Sequence, residues 1–236
     1  MERCAGAGVS HMHLPAVGLE SMEAQIALHK ACPELTSLGV GMHPENVDKD
    51  WRAKVEAMFA RFEDEHPVAV GEVGIDLYHD DSMRLEQMDA FGYQVDRAIS
   101  LGLPLVIHSR KGLADTLHIL EQFGAETPRM VFHSFTSGVE EARQIMERHP
   151  EAFFGINGVV TFKNAPELRE AVKELGLERI VLETDSPYLA PEPKRGRVNE
   201  SSYLPYICDK VAGLYGIEPS ECEEITDVNA CNLLNI

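Results

Sequence analysis

The chain has 236 residues, 44% of them hydrophobic and 25% charged, enough for one domain with a sizeable core and ordinary for a folded globular protein. That composition excludes a disordered chain, a collagen-like repeat and a small disulfide scaffold. Twenty-one Lys and Arg against 39 Asp and Glu leave a net charge of −18, a field that repels polyanions and argues against a coat for nucleic acid or anionic membrane, though a local basic patch remains compatible with it.

In chain order, short apolar, β-branched runs recur at Met12–Val17, Thr36–Met42, Val68–Ile75, Leu103–Ile107, Met130–Phe132, Ala152–Ile156 and Ile180–Glu183. They read as seven strands. Helical periodicity lies between them. Ala53–Phe62 sets Val55, Met58, Phe59 and Phe62 on one face, and Leu113–Phe123 does the same with Leu113, Leu117 and Leu120. Ser137 with Glu140, and Ser220 with Glu223, have the spacing of capping boxes that start helices. Strand alternating with helix predicts a parallel sheet with crossover helices, either an open doubly wound sheet or a closed barrel. No linker or low-complexity tract interrupts residues 1–236, so they read as a single domain.

No apolar run approaches the length of a membrane span, and Met1–Val9 has no apolar signal core. Cys4, Cys32, Cys208, Cys222 and Cys231 are odd in number and form no C-x-x-C pair. They read as reduced thiols of a cytoplasmic protein. Phosphate-loop, dinucleotide-binding and nucleophile-elbow motifs are all absent.

The chemistry lies at the ends of the runs. Thr36–Met42 leads into His43, Val68–Gly71 into Glu72, Leu103–Ile107 into His108, and Met130–Phe132 into His133, while Ile180–Thr184 ends in Asp185. Residues at the C-terminal ends of different parallel strands converge on one face of a barrel. Imidazole nitrogen with carboxylate oxygen suits zinc, manganese or magnesium and not a soft thiolate site. Glu72 stands out, because a carboxylate inside an apolar run is rarely buried unless it is paired or bound to a cation.

Gly-Met-His-Pro (41–44), Gly-Glu-Val-Gly-Ile-Asp (71–76), Ile-His-Ser-Arg (107–110), Phe-His-Ser-Phe (132–135), Gly-Ile-Asn-Gly (155–158) with Thr-Phe-Lys-Asn (161–164), and Glu-Thr-Asp-Ser-Pro-Tyr-Leu (183–189) together resemble the TatD family of metal-dependent hydrolases and deoxyribonucleases. The resemblance covers essentially the whole chain. It implies a TIM-type (β/α)8 barrel and one or two divalent metal ions (Zn, Mg or Mn). By the same resemblance Glu72 bridges metals, His108 and His133 bind one of them, and Asp185 binds the other and orients the attacking water. His43 resembles a residue near the substrate and not a usual ligand.

The family pattern opens with Asp-x-His-x-His at the end of strand one, where this sequence has Ser10-His11-Met12-His13-Leu14. Here the apolar stretch follows the histidines instead of preceding them, and Ser10 replaces the acid. About 30 residues from His13 to His43 leave room for one βα unit. On this reading His11 and His13 begin a strand and are not ligands, strand one and most of helix one are missing, and Glu2–Gly8 is the tail of that helix. Gly18–Ser21 then resembles the loop after strand two. The alternative placement keeps both histidines as ligands.

The function these residues imply is metal-dependent hydrolysis of phosphodiesters in DNA. Glu72 and Asp185 are the expected catalytic carboxylates, with Asp185 taking the proton from water. Arg110, Lys163, Arg195 and Arg197, with Lys111 and Lys194, are expected to contact phosphates beside His43. Hydrolysis of a small-molecule ester or amide is the alternative, and an inactive metal-binding barrel is a third reading.

Overall fold

All seven expected strands form in the computed structural model, which describes residues 2–236. They are β1 (Met12–Leu14), β2 (Thr36–Val40), β3 (Ala69–Asp76), β4 (Leu105–Arg110), β5 (Met130–Phe132), β6 (Phe153–Ile156) and β7 (Ile180–Leu182). They follow one another through the sheet in chain order. The β1–β2, β2–β3, β3–β4 and β6–β7 ladders are parallel. The helices are α1 (Glu2–Gly6), α2 (Leu19–Ala31), α3 (Trp51–Phe62), α4 (Arg84–Leu101), α5 (Leu113–Glu121), α6 (Val139–Arg148), α7 (Pro166–Leu175), α8 (Leu204–Tyr215) and α9 (Pro219–Leu234). Among the described residues, no helix is long and apolar enough to cross a membrane.

The chain packs as two compact units. An N-terminal unit comprises His11–Val131 with Leu234–Ile236, and a C-terminal unit comprises Phe132–Leu233 with the residues up to Ser10.

In the N-terminal unit β3 is the spine, with all eight residues buried. Helix α3 buries Val55, Met58, Phe59 and Phe62, as its periodicity requires, and Trp51 as well. Helix α4 also carries polar residues into this core. Gln87 and Gln94 are buried two turns apart on the same face. Gln94 Oε1 accepts from the Met42 N–H at 2.7 Å, and Gln87 Oε1 accepts from the Asp76 N–H at 2.9 Å. Both amides also donate to the carbonyls of those residues. Backbone groups that run past the end of a ladder are expensive to bury unpaired. The two glutamines satisfy them and so hold the chain on either side of the polar site.

In the C-terminal unit Phe154 packs against Phe132 and Phe135, with ring centroids 6.2 and 5.1 Å away. Asn229 of α9 donates to the carbonyls of Leu177 and Ile180 at 2.9 and 2.8 Å, anchoring the start of β7. Arg3 of α1 pairs with Glu200 at 2.6 Å. That contact is solvent-facing and contributes little on its own.

Three local expectations are corrected. Helix α6 begins at Val139, and the Gly138 N–H donates to Glu141 at 3.3 Å, so the reciprocal contact falls one residue later than Ser137 with Glu140. Helix α9 begins at Pro219, which places Ser220 inside the first turn. Proline is pre-set for that first position, having no N–H to leave unpaired. Leu19–Ser21 belongs to α2 and not to a loop.

Candidate metal centre

Glu72 is 7% exposed although it lies in the apolar run of β3. Its partners come from the neighbouring strands. His108 on β4 lies opposite Gly74, and a Cβ on Gly74 would stand 1.9 Å from the His108 carbonyl oxygen. Only glycine admits that approach, and Gly74 also has φ +141°. The result sets His108 Nδ1 2.9 Å from Glu72 Oε1 and His108 Nε2 2.8 Å from Asp76 Oδ2. Asp76 is 4% exposed, and its Oδ1 accepts from the Tyr78 N–H at 2.9 Å.

His43 follows β2 and donates its backbone N–H to the Val17 carbonyl at 3.0 Å. Its ring meets His108 edge-on, with centroids 4.4 Å apart. Its Nε2 lies 3.7 Å from Glu72 Oε1. One donor atom from each of His43, Glu72 and His108 lies within 4.8 Å of the others, close enough to hold one cation. The Glu72 oxygen and the His108 nitrogen are donors that a divalent zinc or manganese takes, so that pair fits such an ion. The Nδ1 of His43 accepts from the Glu45 N–H at 3.2 Å. That bond places the ring proton of neutral His43 on Nε2, facing Glu72. As arranged, His43 offers the site a hydrogen-bond donor.

The electrostatics follow from this packing. Burial alone lowers the His108 pKa, but the hydrogen bonds to Asp76 and Glu72 outweigh it and raise the ring to about 9. Burial pushes the Asp76 carboxyl up, and the bonds from His108 and the Tyr78 N–H more than reverse this, leaving it below the usual range. His43 goes the other way, lowered chiefly by burial, with Glu72 opposing.

A second cluster is built in the C-terminal unit. His133 follows β5, and its Nδ1 lies 2.9 Å from Glu183 Oε2. Glu183 Oε1 accepts from the Ser134 N–H at 2.6 Å. A Cβ on Gly155 would stand 2.3 Å from Glu183 Oε2, so β6 carries no side chain where this carboxylate lies. His133 Nε2 lies 3.4 Å from Asp185 Oδ1. Ser134 and Asp185 are both left-handed, with φ of 49° and 59°. Non-glycine residues hold such angles at a cost of roughly 1–3 kcal/mol and concentrate at functional loops.

The other expected residues are distributed as follows. His11 immediately precedes β1 and His13 lies within it, with Nδ1 3.1 Å from Ser37 Oγ. Neither belongs to the ligand group of Glu72. Arg110 ends β4 with its guanidinium 3.6 Å above the Tyr78 ring. Lys163 is exposed in the loop after β6. Arg195 stacks 3.8 Å over Phe162, and Lys194 lies over the rings of Tyr203 and Tyr206 at 5.4 and 5.5 Å from their centroids. Arg197 is exposed in the same loop. Sequence reasoning gave Asp76 and Glu183 no role, although both stand inside the motifs that carried the resemblance. Their signal was a carboxylate two or four positions from a ligand, which becomes specific only when the strands are paired.

The sequence profile of a family described as TatD related DNase matches residues 1–235. A metal-dependent hydrolase of Bacillus subtilis strain 168, YabD, is 36% identical over 203 residues, which cover 84% of this chain and 76% of the relative. The 3'-5' ssDNA/RNA exonuclease TatD of Cronobacter sakazakii is 35% identical over 238 residues, 98% of this chain and 89% of the relative. The crystal structure of YJJV, a TatD homolog from Escherichia coli K12, superposes with a TM-score of 0.90 at 25% identity, covering all of this chain and 90% of the other. With its parallel strands in chain order, the chain has a TIM-barrel-like amidohydrolase fold.

Proposed function

We propose that this chain, which belongs to the TatD family of metal-dependent hydrolases, hydrolyses phosphodiester bonds in single-stranded DNA or RNA. The observation that carries this is Glu72, a carboxylate buried in an apolar strand with His43 and His108 as its near neighbours. The 35% identical exonuclease supplies the substrate class.

We assign metal binding to Glu72 and His108 in the N-terminal unit and to His133 and Asp185 in the C-terminal unit. A divalent cation held by either pair would supply Lewis-acid polarisation of a phosphoryl oxygen and would ease deprotonation of water. Asp185 Oδ1 takes the proton of the attacking water as the new O–P bond forms. The proton passes to the departing ester oxygen as the old P–O bond breaks. In the N-terminal unit, His43 Nε2–H donates to a phosphate oxygen. Arg110 in the N-terminal unit, and Lys163, Arg195 and Arg197 in the C-terminal unit, pair with phosphates, contacts that do not read bases.

The net charge of −18 favours a second reading, a small-molecule ester or amide substrate, because it repels a long polyanion. End-labelled single-stranded oligonucleotides with zinc, manganese or magnesium separate the two. The proposal expects cleavage that chelation abolishes and that Glu72→Gln lowers by at least about 100-fold. Turnover of small esters or amides with oligonucleotides left intact sinks it.

A further inference from the structure

We propose that the groove between α3 and α4 is a second binding site, one that takes an amphipathic monocarboxylate and holds its carboxylate on Arg97. Neither Glu72 nor His108 lines this groove. The proposal does not depend on the functional reading above.

Tyr93, Arg97 and Leu101 recur every four residues along α4 and so share one face of that helix. With Phe59 and Ala60 of α3 they line a cavity of about 540 Å³, to which Val40 at the end of β2 also contributes. That size falls within the roughly 300–1,000 Å³ of small-molecule sites. The whole lining belongs to the N-terminal unit. Val40, Phe59 and Phe62 are buried, while Leu101 is 46% exposed. The groove therefore has an apolar interior and an apolar lip open to solvent, and an apolar body lying along both is withdrawn from water.

One charged group inside is unsatisfied. The Arg97 guanidinium lies 5.1 Å from the centroid of the Phe59 ring. Its Nε is buried without a hydrogen-bond partner, and among the described residues the side chain forms no ion pair. Nearby arginines differ. Arg61 of α3 pairs with Glu23 and Glu65, and Arg84 of α4 with Asp115. A guanidinium donates and cannot accept, so only an acceptor satisfies it, and a carboxylate does so most strongly. Glu56 and Glu63 also line the groove, but both are exposed, where water screens them. They do not meet the need of Arg97, and they disfavour a second negative charge on the ligand. The chemistry that fits is one carboxylate on an apolar body.

The test is titration of the full chain with octanoate, octanol and octylammonium. Binding is read by calorimetry and by the fluorescence of Trp51, the only tryptophan, whose ring lies 5.8 Å from that of Tyr93. Octanoate is expected to bind saturably, at least about 10-fold more tightly than octanol, the weight of one hydrogen bond to a charged group. Octylammonium is expected to bind more weakly than either. Shorter acids should lose about 4-fold in affinity per methylene removed. Arg97→Gln should abolish the preference for octanoate over octanol. Ala60→Trp, a change at an exposed position of α3, should block both, and Glu72→Gln should leave octanoate affinity unchanged. Octanol or octylammonium binding as tightly as octanoate overturns the proposal in the wild type alone, with no variant needing to fold. So does a preference that survives in Arg97→Gln, or undiminished affinity in Ala60→Trp. Loss of octanoate binding in Glu72→Gln places the acid at the metal centre and overturns it as well.

Discussion

Gly74 and His108 lie opposite each other on β3 and β4, so close that a Cβ on the glycine would stand 1.9 Å from the histidine's carbonyl oxygen. The imidazole reaches both Glu72 and Asp76 because the two backbones meet here. Gly74→Ala must separate the strands and also force alanine into φ +141°. The expected loss is more than about 3 kcal/mol of stability, together with loss of bound metal. Denaturant unfolding and metal analysis of the purified variant check this. A stable variant with full metal content would show that the approach is dispensable.

The raised pKa of His108 makes stability depend on pH. A histidine held at about 9 in the folded state, against 6.5 unfolded, binds more protons when folded. Its contribution is complete below pH 6.5 and is lost as the pH rises through 9. The metal-free protein is therefore expected to lose roughly 3 kcal/mol across that window. His108→Gln should flatten this part of the profile. Thermal melts from pH 6 to 9.5 in chelator distinguish the two, and a wild-type profile that stays flat rejects the assignment.

His43 faces Glu72 with its Nε2–H, because Nδ1 is engaged by the Glu45 N–H. A donor to substrate and a ligand to metal predict different losses. His43→Ala is expected to lower kcat/KM about 100–1,000-fold, the typical weight of one hydrogen-bond donor to the developing charge, while metal equivalents per chain stay unchanged. Fewer equivalents in the variant would make His43 a ligand.

Arg195 stacks on Phe162 and Arg197 stands exposed beside it in the chain. If they contact phosphates of a single strand, each alanine substitution removes one ionic contact. The slope of log affinity against log salt should then fall by about 0.7 per substitution. Metal content should not change. Binding of a labelled oligonucleotide between 50 and 200 mM salt, conditions over which such contacts are sensitive, reads this directly, and an unaltered slope removes both residues from the substrate path.

All seven strands and the apolar face of α3 were legible, because β-branched runs and helical spacing report burial directly. Element ends were less so. Ser137 with Glu140 and Gly138 with Glu141 carry overlapping cap patterns, and the helix uses the second. At α9 the proline at 219, not Ser220, sets the first turn. Both differences are one or two residues, the scale at which neighbouring segments and not local preference decide.

The sequence by itself determined the alternating strand–helix plan, the family and the strand-end positions of His43, Glu72, His108, His133 and Asp185, since hydrophobic period and motif order are properties of the linear chain. Tertiary structure alone decided what those side chains do to one another. Asp76 turns out to face one nitrogen of His108 and Glu183 one nitrogen of His133, and His43 turns out to present a proton. A hydrogen-bonding role depends on which atom faces which across paired strands. The glycines at 74 and 155 and the glutamines at 87 and 94 set that facing from far along the chain.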